Sequence, residues 1–193
     1  MQCFDELEHD HHVIEQVAAL LADVSAHASA ERAFAFGAWA VEFVRRFADG
    51  CHHAKEERAL FPLLEARGIP RQGGPIGMML LEHEEGRALV QGMERALADR
   101  DLPAFVANAG AWAGLLRAHI AKEQGVLFPL GARRLDAADD HVLRERFAAI
   151  ERESGGEALH ERFHAELAAW KQRLGTLALA EAPAHAVAAT PRR

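Results

Sequence analysis

A twelve-residue motif occurs twice in the chain, and this repeat constrains the fold more than any other feature. The copy that begins at His52 and the copy that begins at His119, 67 residues later, are identical at eight of twelve positions. Each copy contains a His-x-x-x-Glu pair, which Glu56 and Glu123 complete. Residues four apart lie one above the other on the same face of a helix. The repeat therefore predicts two helices that each present an imidazole and a carboxylate to one common centre.

The rest of the chain has the pattern of amphipathic helices. Apolar residues recur at gaps of three and four, and glycine and proline are concentrated in a few places. This pattern predicts an all-α fold, an up-down four-helix bundle with two additional C-terminal helices. The expected helices span residues 4–27, 31–67, 75–100, 101–135, 137–153 and 157–174.

The length of 193 residues suits one compact domain. We expect the bundle to occupy residues 1–135 and the two accessory helices to pack on its outside over residues 136–176. Residues 177–193 are rich in alanine and proline, have little to bury, and are expected to be disordered. Pro62 and Pro129 lie inside expected helices, where a proline normally kinks or ends the helix.

The apolar stripe of each helix predicts which polar side chains point into the core. In the second helix this stripe includes His52 and Glu56. The adjacent His53 and Glu57 lie on a face with other charged residues, so we expect them to point away from the core. The second His-x-x-x-Glu pair lies on the equivalent stripe of the fourth helix.

The first and third helices each contribute one histidine to the predicted core. His11 falls on the apolar stripe of the first helix, whereas His9 and His12 do not. His83 is the one histidine on the stripe of the third helix. An acidic residue precedes both His11 and His83, which is a fainter form of the same repeat. The six predicted metal ligands are His11, His52, Glu56, His83, His119 and Glu123.

These six residues imply a bound cation through their charge. Glutamates and histidines inside a bundle cost several kcal/mol for each ionised group that lacks a partner. Two metal ions supply the missing charge, and two glutamates from facing helices can bridge them. Imidazole and carboxylate ligands suit iron, whereas a tetrahedral zinc site more often includes thiolates. The alternative is an internal network of salt bridges and hydrogen bonds without metal.

Composition argues against several classes of partner. The chain has 22 Lys and Arg against 29 Asp and Glu, a net charge of -7 without a basic patch, so nucleic acid and anionic membranes are poor partners. No apolar run approaches the length of about 18 residues that indicates a membrane span. The acidic N-terminus does not resemble a signal peptide, and two cysteines are too few for a disulfide framework. We expect a cytoplasmic protein, and the oligomeric state is left open.

The ligand pattern resembles that of the hemerythrin-like, or HHE cation-binding, family over about residues 4–135. The family pattern of His, His-x-x-x-Glu, His, His-x-x-x-Glu is met by the six predicted ligands. A bacterial branch contains Cys-His-His-x-Lys-Glu-Glu and Glu-His-Glu-x-Gly-Arg, which occur here at residues 51–57 and 82–87. The resemblance implies a non-haem di-iron centre with oxo or hydroxo and carboxylate bridges. Manganese or zinc could replace iron in a recombinant sample.

The chain departs from the oxygen-carrying members of that family in two ways. Those members place a second histidine one turn from the first on the third helix, where this chain has Met79 and Arg87. They also use His-x-x-x-x-Asp on the fourth helix, where this chain has His-x-x-x-Glu. We therefore expect a coordination position that is open, or filled by water or by another carboxylate such as Glu84. Reversible oxygen transport is disfavoured.

The resemblance implies a protein that binds or senses a small oxidant or diatomic ligand (O2, NO or peroxide), or that senses cellular redox or iron state. The alternatives are a di-iron oxidoreductase that reduces peroxide or nitric oxide, an iron donor for stress repair, and a metal-free helical scaffold. The chain contains no tyrosine, which excludes a tyrosyl radical. Binding and catalysis share every ligand, so the sequence does not decide between them.

Several other residues have both a structural and a functional interpretation. Trp112 is interpreted as a core residue rather than an electron carrier, and Cys51 as a small buried residue rather than a redox-responsive thiol. Arg87 either neutralises a bridging carboxylate, guards an access path, or extends from the helix edge towards water. His160 and His164 have the spacing of a metal-binding pair, but they flank the apolar face of the sixth helix, so we expect them to be solvated.

Overall fold

The computed structural model describes residues 1–181, with the side chains of Ala26 and of residues 175–181 excepted. Within that part of the chain all regular structure is helical, which confirms the all-α prediction. The last helix continues past its expected end at residue 174, and residues 182–193 of the predicted disordered tail lie outside the described residues. The helices are α1 Gln2–His27, α2 30–66, α3 Pro75–Asp99, α4 102–132, α5 Ala137–Ser154 and α6 Gly156–Glu181.

Helices α1 to α4 form the bundle. Each packs against the next in chain order, and α4 returns to pack against α1. Short connections make consecutive helices antiparallel, as in up-down bundles. α5 packs on α1 and α2, and α6 packs on α5 and presents Phe163 to Phe43 of α2, with ring centroids 5.2 Å apart. No helix in the described part of the chain is both long and apolar enough to cross a membrane.

Side-chain caps explain where α4 and α5 begin. Asp101 accepts a hydrogen bond from the N–H of Ala104 at 3.0 Å, and Pro103 occupies the first turn of α4, where its missing N–H has no cost. Asp136 begins α5 through a capping box with Asp139.

The bundle interior consists of two apolar clusters with a polar layer between them. Along α1, Leu7 belongs to one apolar cluster and Ile14 to the other, and the buried Asp10 and His11 lie between them. In each of the other three bundle helices, buried polar residues likewise lie between the two apolar clusters. The polar layer consists of Asp10, His11, His52, Lys55, Glu56, Glu82, His83, His119 and Glu123.

Two helices widen where the repeated motif occurs. Residues Val44–His53 and Glu56–Leu60 of α2 are π-helical, and so are Glu123–Leu127 of α4. Such turns, with hydrogen bonds between residues five apart, are frequent at functional sites. The second and third of these segments each lead into an α-helical turn that contains Pro62 or Pro129. Because a π turn is wider, it relieves the clash between the proline ring and the preceding carbonyl, and neither helix ends there.

Candidate metal centre

The six predicted ligands converge in the polar layer. One potential ligand atom from each residue of a cluster lies within 4.8 Å of the corresponding atoms of the others. We call the two groups the first and second clusters, and Glu56 belongs to both. The first cluster comprises His11, His52, Glu56 and Glu123, and the second comprises His53, Glu56, His83 and His119.

Glu56 directs one oxygen towards each hairpin of the bundle. Its Oε1 lies 3.7 Å from Nε2 of His52, which belongs to the α1–α2 hairpin. Its Oε2 lies 3.4 Å from Nε2 of His83, which belongs to the α3–α4 hairpin. The carboxylate of Glu56 therefore faces both clusters, with one oxygen towards each.

Glu123 has the same orientation from the opposite side. Its Oε2 lies 3.0 Å from Nε2 of His11, and its Oε1 lies 3.4 Å from Nε2 of His119. Within the described part of the chain, all four oxygens of Glu56 and Glu123 are buried without a hydrogen-bond partner, as is Nε2 of His11. Buried polar atoms are nearly always paired in folded proteins. The donor atoms therefore fit a bound cation.

The other ring nitrogen of every clustered histidine is held by a neighbouring side chain. With Nδ1 held by a carboxylate, the imidazole donates its N–H there and presents the lone pair of Nε2 to the centre. The pairs, with distances from Nδ1, are His11 with Gln124 (3.3 Å), His52 with Asp10 (3.3 Å), His53 with Asp49 (3.3 Å), His83 with Glu57 (2.7 Å) and His119 with Glu82 (3.0 Å). Of these five partners, four are carboxylates and one, Gln124, is a neutral amide.

His53 is a candidate ligand that the apolar stripe misses. Its ring lies against that of His83, with centroids 3.8 Å apart and planes inclined by 15°. The expectation that His53 and Glu57 point away from the core was wrong, because both contact His83. The π-helical segment Val44–His53 contains more residues per turn than an α-helix, so positions beyond it rotate relative to a stripe with 3.6 residues per turn.

Two carboxylates in the polar layer also bind the lysine of the repeated motif. Asp10 accepts a hydrogen bond from Lys55 at 3.1 Å, and Glu82 accepts one from Lys122. The sequence shows an acidic residue before His11 and before His83, but its role could not be predicted from the sequence. The structure shows that this residue orients a histidine of the neighbouring helix and pairs with the motif lysine.

The charges in the polar layer stabilise one another. Burial acts to raise the pKa of Glu123, but the adjacent His119 holds that pKa well below its usual value. Burial acts to lower the pKa of His83, but Glu56 and Glu57 raise it to about 9. His83 and His119 thereby offset part of the charge of the buried glutamates. A bound cation would take over that role.

A cavity of about 180 Å³ lies beside the second cluster. Its walls include His53, His83, Gly86, Arg87 and Trp112. A smaller cavity of about 20 Å³ shares several of these residues and reaches the remaining histidine of the second cluster. Small molecules can therefore approach the second cluster from this side.

Arg87 and Trp112 have definite places in this wall. Arg87 donates to Asp49 at 2.8 Å, to Glu57 at 2.7 Å and to Glu84 at 2.6 Å, so it acts on the clusters through carboxylates that hold histidines. Trp112 is 4% exposed and belongs to the apolar core, as expected.

The family model described as the hemerythrin HHE cation binding domain matches residues 4–131. The chain belongs to the hemerythrin HHE cation-binding family. No curated protein and no solved structure matches the chain significantly. The hemerythrin match covers both clusters and ends before α5 and α6, so those two helices are additions to the cation-binding domain.

Proposed function

We propose that this hemerythrin-type protein holds two iron ions in the polar layer and uses them to bind a small oxidant or diatomic ligand. The observation that carries the proposal is the orientation of Glu56 and Glu123, each with one unpaired oxygen towards each hairpin. A single cation would use only half of these oxygens. When bound, the iron pair supplies Lewis acidity and electrons for O2, NO or peroxide.

The donor set favours iron over other cations. Both clusters combine imidazole with carboxylate, and neither contains a thiolate, which suits non-haem iron better than structural zinc. Manganese and zinc accept the same ligands and could replace iron in recombinant protein. Both cysteines are free and buried, which agrees with the reducing cytoplasm as the proposed location.

The ligand is proposed to bind on the side of the second cluster. His53 and His83 form part of the wall of the 180 Å³ cavity there, which is large enough for a diatomic molecule or peroxide. His53, whose Nδ1 is held by Asp49 at 3.3 Å, is the further imidazole available to a metal ion on this side. Arg87 would keep the entrance polar and ordered through its three carboxylate partners.

The proposal is tested by metal analysis of protein reconstituted anaerobically with Fe(II) and then freed of unbound iron. We expect two irons per chain and, after exposure to nitric oxide, spectra of an iron–nitrosyl species. One iron per chain, or none, would contradict the dinuclear centre. Catalytic turnover of peroxide or nitric oxide by the same sample would assign the protein to the oxidoreductases, and binding without turnover would support a sensing role.

A further inference from the structure

A third group of metal-binding side chains lies outside the polar layer, where α5 and α6 meet α2. We propose that Cys51, Glu151 and His160 form a separate mononuclear site for a borderline divalent cation such as zinc. One potential ligand atom from each of these residues lies within 4.8 Å of the other two. Glu151 and His160 lie beyond residue 131, where the family match ends, so this site belongs to the added helices.

The distances within this group fit tetrahedral coordination. Nε2 of His160 lies 3.7 Å from Sγ of Cys51 and 3.6 Å from Oε1 of Glu151. With metal–sulfur bonds of about 2.3 Å and metal–nitrogen or metal–oxygen bonds of about 2.1 Å, a tetrahedron has corresponding edges of about 3.6 and 3.4 Å. Both distances from His160 therefore match a tetrahedron to within a few tenths of an ångström, and the third edge, between Cys51 and Glu151, is no longer than 4.8 Å. The fourth position stays open to water.

The protein holds two of the three ligands in place. Cys51 is 1% exposed in the π-helical part of α2, and the ring of His160 packs on Phe47 with centroids 4.7 Å apart. His160 and His164 were both expected to be solvated. His164 is exposed, with its ring 6.3 Å from that of His9, but His160 is half-buried and joins the cysteine and the glutamate.

The local charge also favours a cation. The buried ammonium of Lys55 contacts three carboxylates, at 2.9 Å from Glu6, 3.1 Å from Asp10 and 2.6 Å from Glu151. Even when His52, which lies 3.3 Å from Asp10, is protonated, two positive charges face three carboxylates. A divalent cation would compete with Lys55 for Oε1 of Glu151, and Lys55 would keep its two other partners. The Cys51 thiol loses its proton to the solvent when the metal–sulfur bond forms.

Cobalt(II) provides a sharp test, because a thiolate bound to cobalt gives an ultraviolet charge-transfer band that imidazole and carboxylate ligands do not. The two clusters of the polar layer contain no cysteine, so this band reports the third site alone. We expect the full-length protein to develop the band on titration with Co²⁺, and zinc to abolish it by competition. Zinc-loaded protein should show one sulfur neighbour at about 2.3 Å in X-ray absorption.

Matched variants decide the assignment. Cys51→Ser should abolish the band, whereas Cys3→Ser, which changes the other buried cysteine, should leave it unchanged. His160→Ala should weaken cobalt binding by at least about 100-fold, and His164→Ala should not. Circular dichroism confirms folding, and if Cys51→Ser fails to fold, the two histidine variants decide the result.

The test separates this site from the proposed iron centre. Glu123→Ala should lose iron and keep the cobalt–thiolate band, so failure of one proposal leaves the other standing. Absence of the band at millimolar Co²⁺, or its persistence in His160→Ala with unchanged affinity, would show that the three side chains form only a hydrogen-bonded contact between helices.

Discussion

The two hairpins of the bundle supply the same ligand types, but they surround them differently. In the α1–α2 hairpin, His11 lies parallel to Phe128, with ring centroids 5.7 Å apart, and its Nδ1 faces the neutral amide of Gln124. These neighbours are an apolar ring and an uncharged side chain. Nδ1 of His11 therefore has an uncharged partner, and one face of the ring is covered by a phenyl group.

In the α3–α4 hairpin, the equivalent His83 also packs on a phenyl ring, that of Phe61 with ring centroids 5.9 Å apart, but its other neighbours differ. Its Nδ1 donates to the carboxylate of Glu57 at 2.7 Å, and the ring of His53 lies against it with centroids 3.8 Å apart. The 180 Å³ cavity opens on this side. The repeat therefore preserves the proposed metal ligands, whereas the residues that contact the outer ring nitrogens of His11 and His83 differ between the two hairpins.

Removal of either glutamate that faces both hairpins should have the largest effect on metal binding. Glu56→Ala and Glu123→Ala should each reduce iron loading from two ions to one or none, because each glutamate serves both hairpins. Glu65→Ala, an exposed carboxylate on α2, should retain full loading. Metal analysis of the reconstituted variants measures the result. Loss of only one iron from one variant and both from the other would show that the two glutamates are not equivalent.

The motif lysines should differ strongly in their effect on stability. Lys55 is fully buried among three carboxylates, whereas the side chain of Lys122 is 40% exposed beside Glu82. Lys55→Met should lower the free energy of unfolding by about 3–5 kcal/mol, since it removes the ammonium partner of the buried carboxylate of Asp10. Lys122→Met should cost about 1 kcal/mol or less. Urea unfolding of chelator-treated protein gives both values, and equal losses would contradict the asymmetry.

The fold and the convergence of the six polar side chains could be predicted because both depend on strong local patterns. The spacing of apolar residues identified the four bundle helices. A His-x-x-x-Glu pair on two of them restricts the directions in which the histidine and glutamate side chains can point. Burial of Lys55 could not be predicted, because it depends on Glu151 and on how α5 docks against α2. That docking leaves no periodic signal in the sequence.

His53 escaped prediction for a different reason. The prediction from the apolar stripe assumes 3.6 residues per turn. The π-helical segment that ends at His53 has more residues per turn, and no distinctive residue in the sequence indicates it. The pairing of Asp10 and Glu82 with histidines of neighbouring helices was also hidden. Such contacts depend on the relative rotation of two helices, although the repeat itself placed an acidic residue at both positions.

Exchanging the residues that contact Nδ1 of His83 and of His11 should change the metal affinity in opposite directions. Glu57→Gln removes the carboxylate that makes His83 a more basic ligand, and metal affinity should fall by about 10–100-fold. Gln124→Glu adds the equivalent carboxylate behind His11 and should raise affinity. Competition against a chelator measures both changes. If both substitutions raise the metal affinity, or both lower it, the charge next to Nδ1 of the histidine is not what distinguishes the hairpins.

Closing the cavity should slow ligand entry without disturbing the metal. A Cβ at Gly86 would lie 3.9 Å from both Leu115 and Trp112, so a small side chain fits, and the remaining atoms of a leucine would extend into the cavity. Gly86→Leu should therefore reduce the rate of nitric oxide binding by about 10-fold or more, which corresponds to about 1.4 kcal/mol in the barrier, while two irons stay bound. Stopped-flow absorption measures the rate.

The matched control for this last substitution is Gly110→Leu on α4, where a Cβ would meet nothing within 4 Å. Both changes replace glycine by leucine inside a helix, so both favour the helix equally, but only the one at Gly86 fills space beside His83. An unchanged rate in Gly86→Leu, with iron content intact, would place the entry route elsewhere. The difference between the two hairpins would then lie in charge alone, and the neutral surroundings of His11 would be as accessible as those of His83.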